Sequence, residues 1–304
     1  TAISKTKVRI SNPRGTVFFS KFYGQTDYRP SVSRDGYIYL AIKRSPHGDH
    51  KEPGILKVDP KGNEVWFHTT DKDPASELSL NDAGEVFFTT YPNEKLHCIN
   101  ADGEAKWIYE PETPFTSAPS LSVNNEILIG DSSGKLLFIG SDGLLKRAFE
   151  LGSNTKYPVI SALDGTIFVG AKQLFSLTPE GNLNWKSEIE GHIVSGYLAL
   201  TASGDVIVPL NKKLYKFQKS NGEYAYVWPA TKSAVVAQND LAYFLKDEYV
   251  FGTDTKKAVG ENVLWNERVG RNVALDISWM EAPVVSTAGT VYAMADGTID
   301  TIQG

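Results

Sequence analysis

The densest group of chemically competent side chains lies in Ser45-Pro-His47-Gly-Asp49-His50-Lys51-Glu52. Two imidazoles and two carboxylates within six residues suit a divalent metal, or an acid and a base acting together. The same string also suits a solvated loop, because short His and Asp tracts are common in exposed turns. Both readings stay open, and the loop is the plainer one. The other histidines, His68, His97 and His192, are scattered along the chain. Gly130-Asp-Ser-Ser-Gly134 has the spacing of a nucleophile elbow. An elbow needs a helix after the serine to lift it above a parallel sheet. Here Lys135-Leu-Leu-Phe-Ile139 follows, a strand pattern, so the string reads as a hairpin turn. No phosphate-cradling glycine loop occurs. Cys98, the only cysteine, alternates with Leu96 and reads as a small buried hydrophobe.

Composition narrows what can hold these groups in place. The 304 residues carry 31 basic and 36 acidic side chains, a net charge of −5. With no basic excess to neutralise phosphates, a nucleic-acid partner is not expected. No apolar run reaches the ~18 residues of a spanning helix, so no membrane span is expected. Apolar residues make up 41% and charged residues 22%, which fits a globular chain with a substantial core. It opens on Thr1, which fits a mature or a trimmed form, and any export signal is not visible in it.

A repeat supplies the elements. A tight turn followed by alternating β-formers recurs at Asp35-Gly36-Tyr-Ile-Tyr, Ala83-Gly84-Glu-Val-Phe, Asn124-Asn125-Glu-Ile-Leu and Asp164-Gly165-Thr-Ile-Phe. It returns at Ser203-Gly204-Asp-Val-Ile, Asn239-Asp240-Leu-Ala-Tyr and Ala288-Gly289-Thr-Val-Tyr. The seven turns are 48, 41, 40, 39, 36 and 49 positions apart. Gly, Asn or Asp supplies the positive φ that a two-residue hairpin turn needs. A second motif runs out of phase: Gly62-Asn-Glu-Val-Trp66, Gly103-Glu-Ala-Lys-Trp107, Gly181-Asn-Leu-Asn-Trp185 and the weaker Gly143-Leu-Leu-Lys-Arg147. Two hairpins per ~40 residues make four antiparallel strands, one blade of a β-propeller.

The expected fold is therefore all-β, a seven-bladed propeller of four-stranded blades forming a single domain over residues 1–304. Ser11-Asn-Pro-Arg-Gly15-Thr-Val-Phe-Phe19 aligns with Val58 to Trp66. It supplies an outer strand to a blade whose inner strands lie at the C-terminus, closing the ring. Helical spacing is absent, and residues 266–280 form the one long connection.

No Trp-Asp dipeptide marks a WD40 repeat, and no Gly-Gly pair marks a kelch repeat. The glycine-to-tryptophan spacing resembles the repeat of the pyrroloquinoline-quinone-type, quinoprotein-like propellers. In that family the tryptophan packs between neighbouring blades as a girdle. The resemblance implies this role for Trp66, Trp107 and Trp185, with Phe19 and Tyr226 as substitutes. Trp265 follows Gly260 by five residues and departs from the pattern. The quinone dehydrogenases of the family have eight blades, an adjacent cysteine pair and a calcium set. Seven turns and one cysteine argue against that chemistry, so no cofactor is expected.

Loops that enter each blade's inner strand, and loops between its second and third strands, open on one face. Ligands favour such concave mouths. Residues placed on that face are Tyr28, Arg29, His47, Asp49, His50, Glu77, Tyr91, Lys156, Tyr157, Lys172, His192, Tyr197, Trp279 and Glu281; the candidate ligand residues are these without Glu77, Tyr91, Lys156 and Tyr197. Their mixture of aromatic and charged groups suits a protein or carbohydrate partner. The expectation is a monomeric, non-catalytic binding or scaffold module, extracellular, cell-surface or periplasmic as relatives of the resembling family often are. The rival reading is a polysaccharide lyase or glycosidase at the same face. It would use His192 or Tyr157 as base and Arg29 or Lys172 as the cation. Residues 44–52 are expected to be dispensable for stability and retained for contact with the partner.

Overall fold

The computed structural model describes residues 8–11, 17–21, 23–46, 48–92, 94–189, 196–210, 213–229, 234–236, 240–246, 249–257, 263–268, 284–285, 290–295 and 298–303. Every described regular element is a β-strand. The chain falls into two compact units, Thr1–Lys156 and Tyr157–Gly304.

The first unit opens with a hairpin of β1 (Val8–Ser11) and β2 (Val17–Lys21). Three four-stranded meanders follow. The first is β3 (Ser31–Val32), β4 (Ile38–Ile42), β5 (Gly54–Val58) and β6 (Glu64–Thr69). The second is β7 (Ser79–Leu80), β8 (Val86–Thr90), β9 (Lys95–Ile99) and β10 (Ala105–Tyr109). The third is β11 (Ser120–Leu121), β12 (Ile127–Gly130), β13 (Lys135–Ile139) and β14 (Leu145–Glu150).

The second unit repeats the plan. Its four-stranded sheets are β15 (Ile160–Ser161), β16 (Ile167–Gly170), β17 (Leu174–Leu177) and β18 (Leu183–Lys186), then β19 (Ala199–Leu200), β20 (Val206–Leu210), β21 (Lys213–Phe217) and β22 (Tyr224–Pro229). A third is β23 (Ala234–Val236), β24 (Leu241–Lys246), β25 (Tyr249–Asp254) and β26 (Val263–Arg268). A three-stranded sheet of β27 (Val284–Val285), β28 (Thr290–Ala295) and β29 (Thr298–Gln303) ends the unit. Of the long connection, 269–280 lie outside the described residues.

Burial explains the strand patterns. The second strands are mostly apolar where both faces are covered: all of Ile38–Ile42, Val86–Thr90 and Val206–Leu210 is buried. The core lies between consecutive sheets. Phe87, Leu96 and Cys98 of one sheet meet Ile127, Ile129 and Leu137 of the next. Cys98 is buried, and desolvation pushes its thiol up to about 12, so it acts as a hydrophobe.

The turn chemistry differs from expectation in one respect. The first hairpins close with three-residue loops rather than two. Ser33 N donates to the Tyr37 carbonyl at 2.9 Å, and Gly36 N donates to the Ser33 carbonyl at 3.0 Å. Only the third loop residue takes a positive φ, 85° at Gly36 and 58° at Asn125. This is a type I turn followed by one left-handed residue. It draws on the same Gly and Asn preference as a two-residue turn, so composition cannot separate them.

The tryptophans do pack between consecutive sheets. Trp66 Nε1 donates to the Ala101 carbonyl at 2.9 Å, Trp107 Nε1 to Ser141 at 2.9 Å and Trp185 Nε1 to Lys219 at 2.8 Å. Each indole also packs against the turn glycine of the following sheet. A Cβ on Gly103, Gly143 or Gly222 would stand 2.8, 2.7 or 2.6 Å from that ring. Gly103, Gly143 and Gly222 thus each leave room for the tryptophan of the preceding sheet. Arg147 holds the tryptophan's place in β14. It grips Glu126 with two bonds of 2.7 and 2.8 Å and lies 4.2 Å over Phe138.

A one-residue slip in pairing sets this geometry. Val58 pairs Glu64, but Lys57 pairs Trp66, leaving Val65 bulged. The same slip precedes Trp107, Arg147 and Trp185. It also precedes Trp265, which pairs Gly252 after Thr253 pairs Val263, so this residue keeps the common register despite its irregular spacing. In β22 the slip falls later, between Tyr226 and Trp228. The hairpin β1–β2 carries it too, with Ser11 opposite Val17 and Ile10 opposite Phe19. The N-terminal segment is therefore a pair of strands rather than the single outer strand expected.

Candidate functional site

Short connectors bring the chain into each inner strand, and they present the polar groups. The residue three places before that strand is Tyr28, Ser76, Ser117, Tyr157 and Gly196 in the first five four-stranded sheets. Where it is serine, its hydroxyl ties the connector to the second strand of the same sheet. Ser76 Oγ accepts from Thr89 N at 3.0 Å, and Ser117 Oγ accepts from Gly130 N at 2.9 Å. Two of the predicted site residues, Tyr28 and Tyr157, put a phenol at this place, which elsewhere holds a small residue.

Around Tyr28 the connectors of the first and second sheets gather charge. Lys43 Nζ lies 2.7 Å from Asp27 Oδ2, and Arg29 Nε lies 3.8 Å from Glu77 Oε1. The Tyr28 ring packs against a cluster that includes Tyr39, Leu78 and Phe88. Burial raises its phenol above the ordinary value, with Asp27 and Glu77 acting in the same sense and Lys43 opposing. Tyr28 and Arg29 are thus brought together, with Glu77 as a third member. In the second unit Tyr157 meets Tyr197 edge to face at 5.6 Å and 65°. Lys172 is exposed, in the loop between β16 and β17. Tyr197, placed on this face by the sequence though not among the ten ligand candidates, stands two places before its strand, as Arg29 and Glu77 do.

The polar loop between β4 and β5 takes another direction. His50 stacks on Phe67 at 3.8 Å and 17°, and its Nε2 lies 2.9 Å from Glu64 Oε2. Its backbone N donates to the Tyr23 carbonyl at 2.9 Å. His50 therefore faces the outer strand of its own sheet, away from the Arg29–Glu77 pair, while Asp49 is exposed. The loop is built into the fold. Ser45 is buried, Arg44 pairs with Glu52 at 2.7 Å, and a Cβ on Gly48 would stand 2.7 Å from Gly24 Cα. The expectation that residues 44–52 can be shortened without loss of stability is corrected on these contacts. His47, His192, Trp279 and Glu281 lie outside the described residues. Among the described residues no three His, Cys, Asp or Glu side chains come together as metal ligands.

The other described histidines are engaged by the fold. His68 Nδ1 lies 2.8 Å from the Gly103 carbonyl. His97 stacks on Phe88 at 5.0 Å, and its Nε2 lies 3.1 Å from Thr90 Oγ1. Burial, reinforced by His68 and Lys95, lowers His97 from 6.5 to about 4. Between those values the unfolded chain binds a proton that the folded chain refuses, so stability falls as pH drops through that window. After allowance for its partial exposure, the expected loss is about 1–2 kcal/mol. Urea unfolding of the His97→Phe variant should show a flatter slope between pH 6.5 and 4; an unchanged slope would place the acid sensitivity elsewhere. The elbow-like string is a turn, in which Ser133 Oγ donates to Asp131 Oδ1 at 2.8 Å and Gly134 has φ 86°.

By sequence, the chain matches no family model and no curated protein. By structure it is similar to BamB from Moraxella catarrhalis, at 13% identity and a TM-score of 0.70, over 94% of this chain and 85% of that one. The fold is that of a β-propeller. Virginiamycin B lyase from Staphylococcus aureus, in a catalytically inactive variant with quinupristin, is 13% identical at a TM-score of 0.65, over 97% and 96% of the two chains. The WD40 domain of Neurospora crassa Pan2 is 12% identical at 0.63, over 88% and 85%. This propeller lacks the Trp-Asp dipeptide and joins its sheets by tryptophan on glycine. No helix among its described residues is long and apolar enough to cross a membrane.

Proposed function

We propose that this chain is a seven-bladed propeller forming one domain over residues 1–304, with a blade shared by the two termini. In this reading it works outside the cytoplasm as a monomeric, non-catalytic binding or scaffold module. Its partner, a protein or a carbohydrate, engages the connector ends of the sheets. The observation carrying this is the presence of Tyr28 and Tyr157 where other sheets hold serine or glycine. In place of a small residue that serves the fold, these two connectors present an aromatic beside charged or aromatic neighbours. Similarity to BamB and to a WD40 domain supports a binding role, and the quinoprotein-like repeat supports the location.

A lyase of similar fold keeps the enzymatic alternative in view. Such chemistry needs a base and a cation converging on the substrate. His50, His68 and His97 are each held by stacking or hydrogen bonds within the fold; of the bases this alternative names, Tyr157 packs edge to face on Tyr197 and His192 lies outside the described residues. The test uses glycan and peptide arrays probed with the parent chain, Tyr157→Ala and Leu163→Asp. Leu163 is fully exposed at the opposite end of β15. Binding should fall about tenfold in Tyr157→Ala, in line with loss of a buried aromatic contact, and persist in Leu163→Asp. The reverse pattern would sink the proposal.

A further inference from the structure

We propose that the connectors entering β3 and β7 form a subsite for a neutral, hydroxyl-rich ligand, one unit of a saccharide, held by Tyr28, Arg29, Glu77, Lys43 and Asp27. The inference rests on the reading that ligands engage the connector ends, and it adds the class of ligand.

Three observations carry it. The first is the departure from the repeat. The fold is served by serine at 76 and 117 and by glycine at 196, yet position 28 holds a tyrosine. The second is the mixture of charge. Among the described residues Lys43, Asp27 and Glu77 act on Tyr28, Arg29 stands beside Glu77, and Asp73 also acts on Lys43, so both signs are present. An incoming carboxylate would meet Asp27 and Glu77, and an incoming ammonium would meet Lys43 and Arg29. A hydroxyl meets neither penalty, because it donates and accepts at once. The third is spacing and access. Arg29 Nε and Glu77 Oε1 are 3.8 Å apart, beyond a direct hydrogen bond, with 47% and 25% of the side chains exposed. A hydroxyl oxygen set to one side of that pair accepts from the guanidinium and donates to the carboxylate, as a bridging water would. The Tyr28 phenol, protonated at neutral pH as any tyrosine is, adds a further donor and acceptor. A sugar has this combination of hydroxyl rim and apolar face.

The experiment is calorimetric titration of the full chain with neutral cello-, malto- and manno-oligosaccharides. An oligogalacturonate serves as the anionic probe and a chitosan oligomer as the cationic one. One neutral series should bind. Tyr28→Phe and Glu77→Gln should each weaken it about tenfold or more, as expected for a hydrogen bond to a charged group or its partner, with melting temperatures close to the parent's. Tyr28→Ser, which installs the residue found in the second and third sheets, should fold and lose binding as well. Absence of binding by every neutral series would overturn the proposal, as would a charged oligomer binding as tightly. Neutral binding untouched by both Tyr28→Phe and Glu77→Gln but abolished by Leu163→Asp would overturn the connector reading too. A charged oligomer or peptide whose binding is lost in Glu77→Gln would overturn the saccharide class alone.

Discussion

Trp185→Ala is expected to lower the stability of the folded chain by about 3 kcal/mol or more. The indole lies 5.9 Å from Phe168 and 6.3 Å from Phe217, stacked on the latter at 13°, and it covers Gly222. Removing it opens a gap between two sheets and leaves the Lys219 carbonyl without its 2.8 Å donor. Trp185→Phe keeps most of the packing and loses the hydrogen bond alone, which costs about 1 kcal/mol. Equilibrium urea unfolding of the parent and the two variants separates the contributions. If the alanine variant lies within about 1 kcal/mol of the parent, the tryptophans merely occupy the seam and do not hold it.

Gly54→Ala is expected to be as severe. Gly54 sits in β5 opposite Thr69, and a Cβ there would stand 2.2 Å from the His68 carbonyl oxygen and 2.8 Å from the Phe67 ring. The obstacle is backbone in a paired strand, so relief requires separating β5 from β6. Overpacking of this kind costs about 3 kcal/mol, at the upper end for added methyl groups. Gly36→Ala is the comparison. Its φ of 85° carries a strain of about 1–2 kcal/mol for any side chain, but only Pro60 at 3.3 Å is near. Soluble yield and urea midpoints should rank Gly54→Ala well below Gly36→Ala. Equal midpoints would mean that β6 moves aside freely.

These two positions show what could be read from the chain. Trp185 announces itself by its spacing from Gly181, because the motif repeats and each copy supports the others. Gly54 carries no such signal, since the contact that forbids a side chain comes from the neighbouring strand and depends on the twist between them. Trp265 looks irregular by spacing yet keeps the common register, because pairing is counted from β25 and a longer turn leaves it unchanged. The site divides in the same way. Tyr28, Arg29, Glu77, Tyr157 and Tyr197 are all legible as connector residues of one face, but which of them meet, Arg29 with Glu77 and Tyr157 with Tyr197, is not. Only the packing of one sheet on another brings them within reach. His50 misleads for a physical reason. Its loop is polar enough to be solvated, yet Phe67 offers a flat apolar partner and Glu64 a charged one, and the loop folds down onto both.

The slipped pairing on the outer strands has a consequence for crowded solutions. Those strands end their sheets, and their backbone groups face outward in a row that another molecule's strand can read. A chain built of near-copies is at special risk, because any blade resembles the partner that any other blade would accept. Each slip interrupts the row after only a few residues. At two of the slips the displaced residue is a lysine, Lys106 or Lys146. At those two an incoming strand would meet a kink and a lysine together. The feature that seats the tryptophans is thus also one that works against edge-to-edge pairing of strands.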